Sequence, residues 1–245
     1  MSSSIDRRDF LIAAAASGTA YLSPSSTRPF GSAQAAGPDP NFHVFLAFGQ
    51  SNMEGYPGIE PQDKTGVDKR FRMLTAVDYP GLGRRKGDWY DAIPPLCRSS
   101  TGLCPADYFG RTMVSGMPDK FTVGVVNVAV AGCKIELFDK DAYAAYATTV
   151  ASWMTTIIKE YGGNPYQHLV DMARLAQQKG VIKGILLHQG ESNTNDKKWP
   201  DKVGKIYGDL IKDLNLKVED APLRWEVTGK AAFATDFSYR STDEG

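Results

Sequence analysis

Phe42-His43-Val44-Phe45-Leu46-Ala47-Phe48-Gly49-Gln50-Ser51-Asn52-Met53-Glu54-Gly55 is the stretch on which the fold reading turns. Val44 to Phe48 is a short apolar run of the length and composition of a buried strand. The run stops at Gly49 and hands over at once to Gln50, Ser51 and Asn52. A strand that ends in glycine and opens into small polar residues is how an α/β enzyme exposes a nucleophile at the carboxyl edge of its sheet. The spacing is not a Gly-x-Ser-x-Gly elbow, because Met53 stands where the second glycine would be. Taken alone, Ser51 also fits an ordinary strand-to-helix turn.

Two further strands follow the same plan. Phe121-Thr122-Val123-Gly124-Val125-Val126-Asn127-Val128-Ala129-Val130 is apolar on both faces, as a parallel strand covered on both sides must be, and runs into Ala131-Gly132-Cys133. Val181 to Leu187 is a third strand and delivers His188-Gln189-Gly190-Glu191-Ser192-Asn193. Helical spacing over Ala142–Tyr161 and over Pro165–Lys179, the latter stopped by Gly180, predicts the intervening helices. A further helix is predicted over Asp196–Leu214. Strand, helix, strand in repetition predicts a three-layer α/β/α sandwich around a parallel, flavodoxin-like sheet.

Gly49-Gln50-Ser51-Asn52-Met53 and His188-Gln189-Gly190-Glu191, in that order with a glycine block between, resemble the SGNH hydrolase superfamily in its sialate O-acetylesterase-like branch, carbohydrate esterase family six. The resemblance runs from about Phe42 to about Pro222. It implies a secreted carbohydrate O-acetylesterase working through an acyl-Ser51 intermediate. Ser51 is then the nucleophile, and Glu191 the carboxylate that orients an imidazole. The Ser51 and Gly132 backbone N–H groups and the Gln189 side-chain amide form the oxyanion hole. Gln50, Asn52 and Asn193 are read as substrate-binding. His188 belongs to the catalytic motif and is read as a site-shaping partner rather than the base. Where the family commonly has Gly-Gly-Thr, this chain has Ala131-Gly132-Cys133.

The family places its base in an Asp-x-x-His block near the C-terminus. This sequence has three histidines, His43, His168 and His188, and none follows Glu191. His43 precedes its strand and is expected roughly 20 Å or more from Ser51, at about 3.3 Å per residue. His168 opens a helix and is expected on the surface. Val218 to Leu223 fits the lead-in to a last strand, but residues from about Arg224 to Gly245 match neither a core strand nor a packed helix. The sequence reading is a C-terminal part that is incomplete, through a frameshift or truncation, and a form inactive for lack of that histidine; a shorter, diverged protein is the alternative.

The 245 residues carry zero formal net charge, which suits one domain and gives no electrostatic reason for nucleic-acid binding. No apolar run approaches the roughly 20 residues of a spanning helix. Residues 1–35 read as a twin-arginine-type signal peptide: Asp6-Arg7-Arg8-Asp9-Phe10-Leu11, an Ala-rich stretch, then Ala33-Gln34-Ala35 before a mature start at Ala36. The esterase domain is then 36–245, and its place of action periplasmic or extracellular. Export makes a Cys97–Cys104 disulfide the favoured state, with three buried thiols as the alternative and Cys133 left over.

Tyr56 to Pro95 shows no sustained period and is expected as an excursion over the carboxyl edge, where Trp89 and Tyr90 would either stack on sugar or pack. No cofactor and no metal are expected, since no Cys/His cluster has ligand spacing. Two other functions stay open: a carbohydrate-binding or degenerate protein that keeps the scaffold without catalysis, and an SGNH lipase or thioesterase. The mostly polar excursion speaks against the last.

Overall fold

A computed structural model describes residues 37–226. The expected export signal with its Ala36 start, and the tail from residue 227, lie outside the described residues. The chain runs β1 (Phe42–Gly49), α1 (Ser51–Glu54), β2 (Phe71–Leu74), β3 (Trp89–Asp91), α2 (Pro105–Gly116), β4 (Thr122–Ala129), α3 (Tyr143–Ala147), α4 (Ser152–Glu160), α5 (Pro165–Gln177), β5 (Val181–His188), α6 (Trp199–Asp213) and β6 (Leu223–Glu226). The strands form one sheet in the order β3-β2-β4-β1-β5-β6. Five are parallel; β3 pairs antiparallel with β2 at the edge, so the sheet is mixed rather than purely parallel.

The central position of β1 follows from its composition. Val44 to Phe48 are all buried, because neighbours close both edges and helices close both faces. Register sets the layers. Phe45, Ala47 and Gly49 share a face with their β5 partners Gly184, Leu186 and His188. On that face Phe45 packs edge-on against Phe109 of α2, ring centroids 4.9 Å apart. Phe48, on the other face, meets Phe138 at 5.1 Å, in the turn that also packs against α5 and α6. Helices α5 and α6 are tied by Tyr166 Oη donating to Asp213 Oδ2 at 2.7 Å. Proline at the first turn starts α2, α5 and α6, where a missing N–H costs nothing.

Several elements differ from the sequence expectation. The Tyr56–Pro95 excursion contains β2 and β3, four and three residues long, too short to show a period. The single helix expected over Ala142–Tyr161 is two, α3 and α4. Thr148 and Thr149 end the first by donating their hydroxyls to Ala145 O and Tyr146 O, both at 2.8 Å, the local competition that makes threonine a poor continuer. The last predicted helix begins at Trp199, three residues late. Arg224, Trp225 and Glu226 complete β6, in register with Leu186, Leu187 and His188; a polar end is compatible with an edge strand.

The cysteine expectation is corrected as well. Cys97, Cys104 and Cys133 are all free and buried. Each thiol has its own partner: Cys97 Sγ lies 3.3 Å from Tyr161 Oη, Cys104 Sγ accepts from Asn127 Nδ2 at 3.5 Å, and Cys133 Sγ donates to Gly49 O at 3.7 Å.

Candidate active site

Because β4, β1 and β5 are adjacent and parallel, the turns that follow them meet at one carboxyl edge. The turn after β1 carries Ser51, that after β4 carries Gly132, and that after β5 carries Glu191. Backbone geometry demands glycine at the junction. Gly49 has φ +152°, and a Cβ there would stand 2.1 Å from His188 O; only glycine lets β1 pass this close to β5. Gly132 has φ +67°, the left-handed region, with Trp153 closing the space beside it.

Gln50 locks the two motif turns together. Its Oε1 accepts from the Gly190 and Ser192 N–H groups, both at 3.3 Å, and its own N–H donates to His188 O at 3.0 Å. It is 3 % exposed, which makes it a brace between the turns rather than the substrate contact expected. Ser192 Oγ donates to Gly132 O at 2.9 Å and so fixes the third turn against the other two.

Gln189 and Asn193 brace turns in the same way. Gln189 is wholly buried; its Nε2 donates to Cys133 O at 3.1 Å and to Asn193 Oδ1 at 2.9 Å, and its Oε1 accepts from Trp199 Nε1 at 2.5 Å. Both amide protons point at protein acceptors. Asn193, 7 % exposed, accepts from Ile135 N at 2.8 Å and donates to Glu136 Oε2 at 3.0 Å. It ties the glutamate turn to the turn after β4. Burial opposes the charge on Glu136, but Lys202 and Asn193 outweigh it and hold its carboxyl below the usual range.

Asn52, Pro57, Leu103, Cys104, Pro105, Tyr108 and His188 line a cleft of about 330 Å³, within the range of small-molecule sites. Ser51 opens the short helix that presents Asn52 to it. Asn52 Nδ2 donates to Glu191 Oε1 at 2.9 Å, which brings the two motif blocks together at the cleft. His188 Nδ1 stands 3.7 Å from the same carboxylate oxygen, longer than a hydrogen bond. Behind the Ser51 turn, Glu54 and Arg98 form a buried ion pair, and Asn127 Nδ2 donates to Met53 O at 2.8 Å.

The other histidines lie elsewhere. His43 stands at the amino end of β1 beside Phe121, ring centroids 4.8 Å apart. His168, expected on the surface, is buried, with Nε2 2.6 Å from Ala76 O. Trp89 packs on Phe42 at the amino end of β1, with ring centroids 4.7 Å apart, and Tyr90 Oη accepts from Arg85 N at 2.9 Å, so these two rings serve packing. Leu103, Cys104, Pro105 and Tyr108 were not legible as cleft residues, since a loop and a helix start carry no spacing that says which wall they form. Among the described residues no His, Cys, Asp and Glu group could hold a metal ion, and no helix is long and apolar enough to cross a membrane.

The fold is shared with solved structures, one of them a carbohydrate acetylesterase. A protein from Arabidopsis thaliana is 20 % identical with a TM-score of 0.55, over 76 % of this chain and 74 % of that one. A carbohydrate acetylesterase from Xanthomonas citri is 20 % identical with a TM-score of 0.50, over 74 % of this chain and 40 % of the longer relative. NanS is 17 % identical with a TM-score of 0.51, over 78 % and 68 %. At such identities the likeness is one of fold. Residues 41–224 match the family described as carbohydrate esterase, sialic acid-specific acetylesterase, and the chain belongs to that family. A member of it is a carboxylic ester hydrolase of the acetylesterase kind, in agreement with the reading of the two motif blocks.

Proposed function

We propose that the protein is an exported carbohydrate O-acetylesterase that uses Ser51 as its nucleophile. The observation that carries the reading is the Asn52–Glu191 hydrogen bond at the cleft: it joins the serine block to the glutamate block, as one catalytic unit requires. Ser51 Oγ attacks the acetyl carbonyl carbon while its proton passes to an imidazole. The Ser51 and Gly132 N–H groups receive the developing oxyanion, each such donor contributing roughly 3–4 kcal/mol in well-studied cases. Collapse returns the proton to the leaving sugar hydroxyl and leaves acetyl-Ser51. Water then releases acetate by the reverse route. His188 is the only one of the three histidines at the cleft, and takes the proton in this scheme; Glu191 supports its charge.

Acid-quenched mixtures of the full chain with an acetylated xylose should contain Ser51-acetylated protein by mass spectrometry, and Ser51→Ala should neither form that adduct nor release acetate. Acetate release by Ser51→Ala at the parent rate would overturn the proposal. Export is tested by replacing Arg7 and Arg8 with lysine, which should leave the protein in the cytoplasm.

A further inference from the structure

Helix α2 continues past the cleft, and a second concavity lies along it. Gly66, Asp68, Tyr108, Arg111, Thr112, Val114 and Ser115 line a groove of about 420 Å³. Tyr108 belongs to both concavities. At 1.5 Å rise per residue, Tyr108 to Ser115 spans roughly 10 Å, room for more than one sugar ring.

Tyr108 is built to be a fixed platform. It is 51 % exposed, yet its Oη donates to Asp63 Oδ1 at 2.8 Å and the Arg111 guanidinium lies 5.5 Å from its ring centroid. Asp63 is itself held by the Glu60 N–H, which donates to its Oδ2 at 2.8 Å. A half-exposed aromatic ring whose rotamer is already locked loses little entropy on stacking.

The charges around it point to a neutral ligand. Arg111 directs Nε at Asp107 Oδ1, Nη1 at Thr65 O and Nη2 at Asp63 O, so each guanidinium nitrogen already serves a protein acceptor. Arg70 is likewise bound to Asp68. Asp63 and Asp68 would repel an anion at this groove. What remains for a ligand is an aromatic face, the exposed Thr112 side chain and the acceptor side of Ser115 Oγ, which donates to Thr112 O at 2.9 Å. That set suits a neutral sugar ring, with its apolar C–H face and its ring of hydroxyls.

We infer that the Tyr108–Ser115 face of α2 is a subsite for neutral saccharide, holding the sugars attached to the acetylated ring while that ring occupies the cleft. This rests on the acetyl-carbohydrate reading and deepens it: the preferred substrate is a neutral acetylated oligosaccharide rather than a free monosaccharide or an acidic sugar.

The test is calorimetric binding to Ser51→Ala, which keeps bound esters intact. The probes are mono-O-acetylated xylotetraose, mono-O-acetylated xylose and 9-O-acetylated sialic acid. The tetrasaccharide should bind at least about tenfold more tightly than either monosaccharide. Adding Tyr108→Ala should remove that advantage. Thr112→Trp, a change at an exposed helix position that fills the groove, should remove it as well and guards against a folding defect in Tyr108→Ala. In Thr112→Trp, affinity for acetylated xylose should move less than about twofold. If all three probes bind with equal affinity and neither substitution changes that, the subsite is refuted while the carbohydrate reading stands. Tightest binding of the sialic acid refutes the neutral preference. If no probe binds, the carbohydrate reading falls and the subsite with it.

Discussion

Asn52 Nδ2 and Glu191 Oε1, 139 positions apart in sequence, are joined by a 2.9 Å hydrogen bond. An amide that donates to a carboxylate fixes its direction. Asn52→Leu removes that donor, and should lower kcat/KM for an acetylated sugar by about tenfold to a hundredfold, equivalent to ~1–3 kcal/mol. Asn52→Asp should be worse at pH 7 than at pH 5, because two carboxylates at this distance cannot both ionise cheaply. A pH–rate comparison of the two variants checks this.

Glu54 and Arg98 form a buried ion pair behind the nucleophile turn, each side chain 9 % exposed. Removing one partner leaves an uncompensated buried charge. Arg98→Met alone should cost about 3–5 kcal/mol in urea unfolding, and Arg98→Met with Glu54→Leu should recover most of that loss. A double variant as unstable as the single one would show that the pair's surroundings, not the charge, dominate.

The three thiols should behave as buried, unreactive groups. Burial pushes Cys97 and Cys104 up to about 12, so thiolate is scarce at neutral pH. Ellman's reagent should label the folded protein slowly and all three cysteines after denaturation, and reductant should leave the melting temperature unchanged. Loss of stability on reduction would restore the disulfide expected from sequence.

Stability should fall with acid through two histidines. Burial lowers the pKa of His168, and that of His43 with help from Lys183. The folded state then binds fewer protons than the unfolded one just below the ordinary value of about 6.5, so stability rises with pH in that window and is fully present above it. Melting temperatures between pH 5 and 7.5 should show this slope, and His168→Gln should flatten it.

What the sequence could say about this molecule was decided by length and locality. Val44–Phe48, Thr122–Ala129 and Val181–His188 are apolar runs of five to eight residues, so the three strands that carry the polar turns were legible. Phe71–Leu74 and Trp89–Asp91 were not, because three or four residues carry no period and their pairing is set by β4. The motif blocks named Ser51, Gly132 and Glu191 and put them at one edge. They could not show that Gln50, Gln189 and Asn193 spend their polar atoms bracing turns, since hydrogen-bond partners such as Cys133 O and Trp199 are distant in sequence. Nor could they show Tyr108, whose meaning depends on Asp63 and Arg111 lying around its ring.

The proton acceptor gives the sharpest prediction. His43 sits at the amino end of β1, and His168 is held against Ala76 O, which leaves His188 among the three imidazoles of the 245-residue chain. Its strand register opposite Gly49 puts its side chain on the face that carries α1 and α2. Its Nδ1 lies 3.7 Å from Glu191 Oε1. His188→Ala should bring turnover of p-nitrophenyl acetate and of acetylated xylose down to the level of Ser51→Ala. Turnover that survives His188→Ala but not Ser51→Ala would assign the proton to another group and remove His188 from the mechanism.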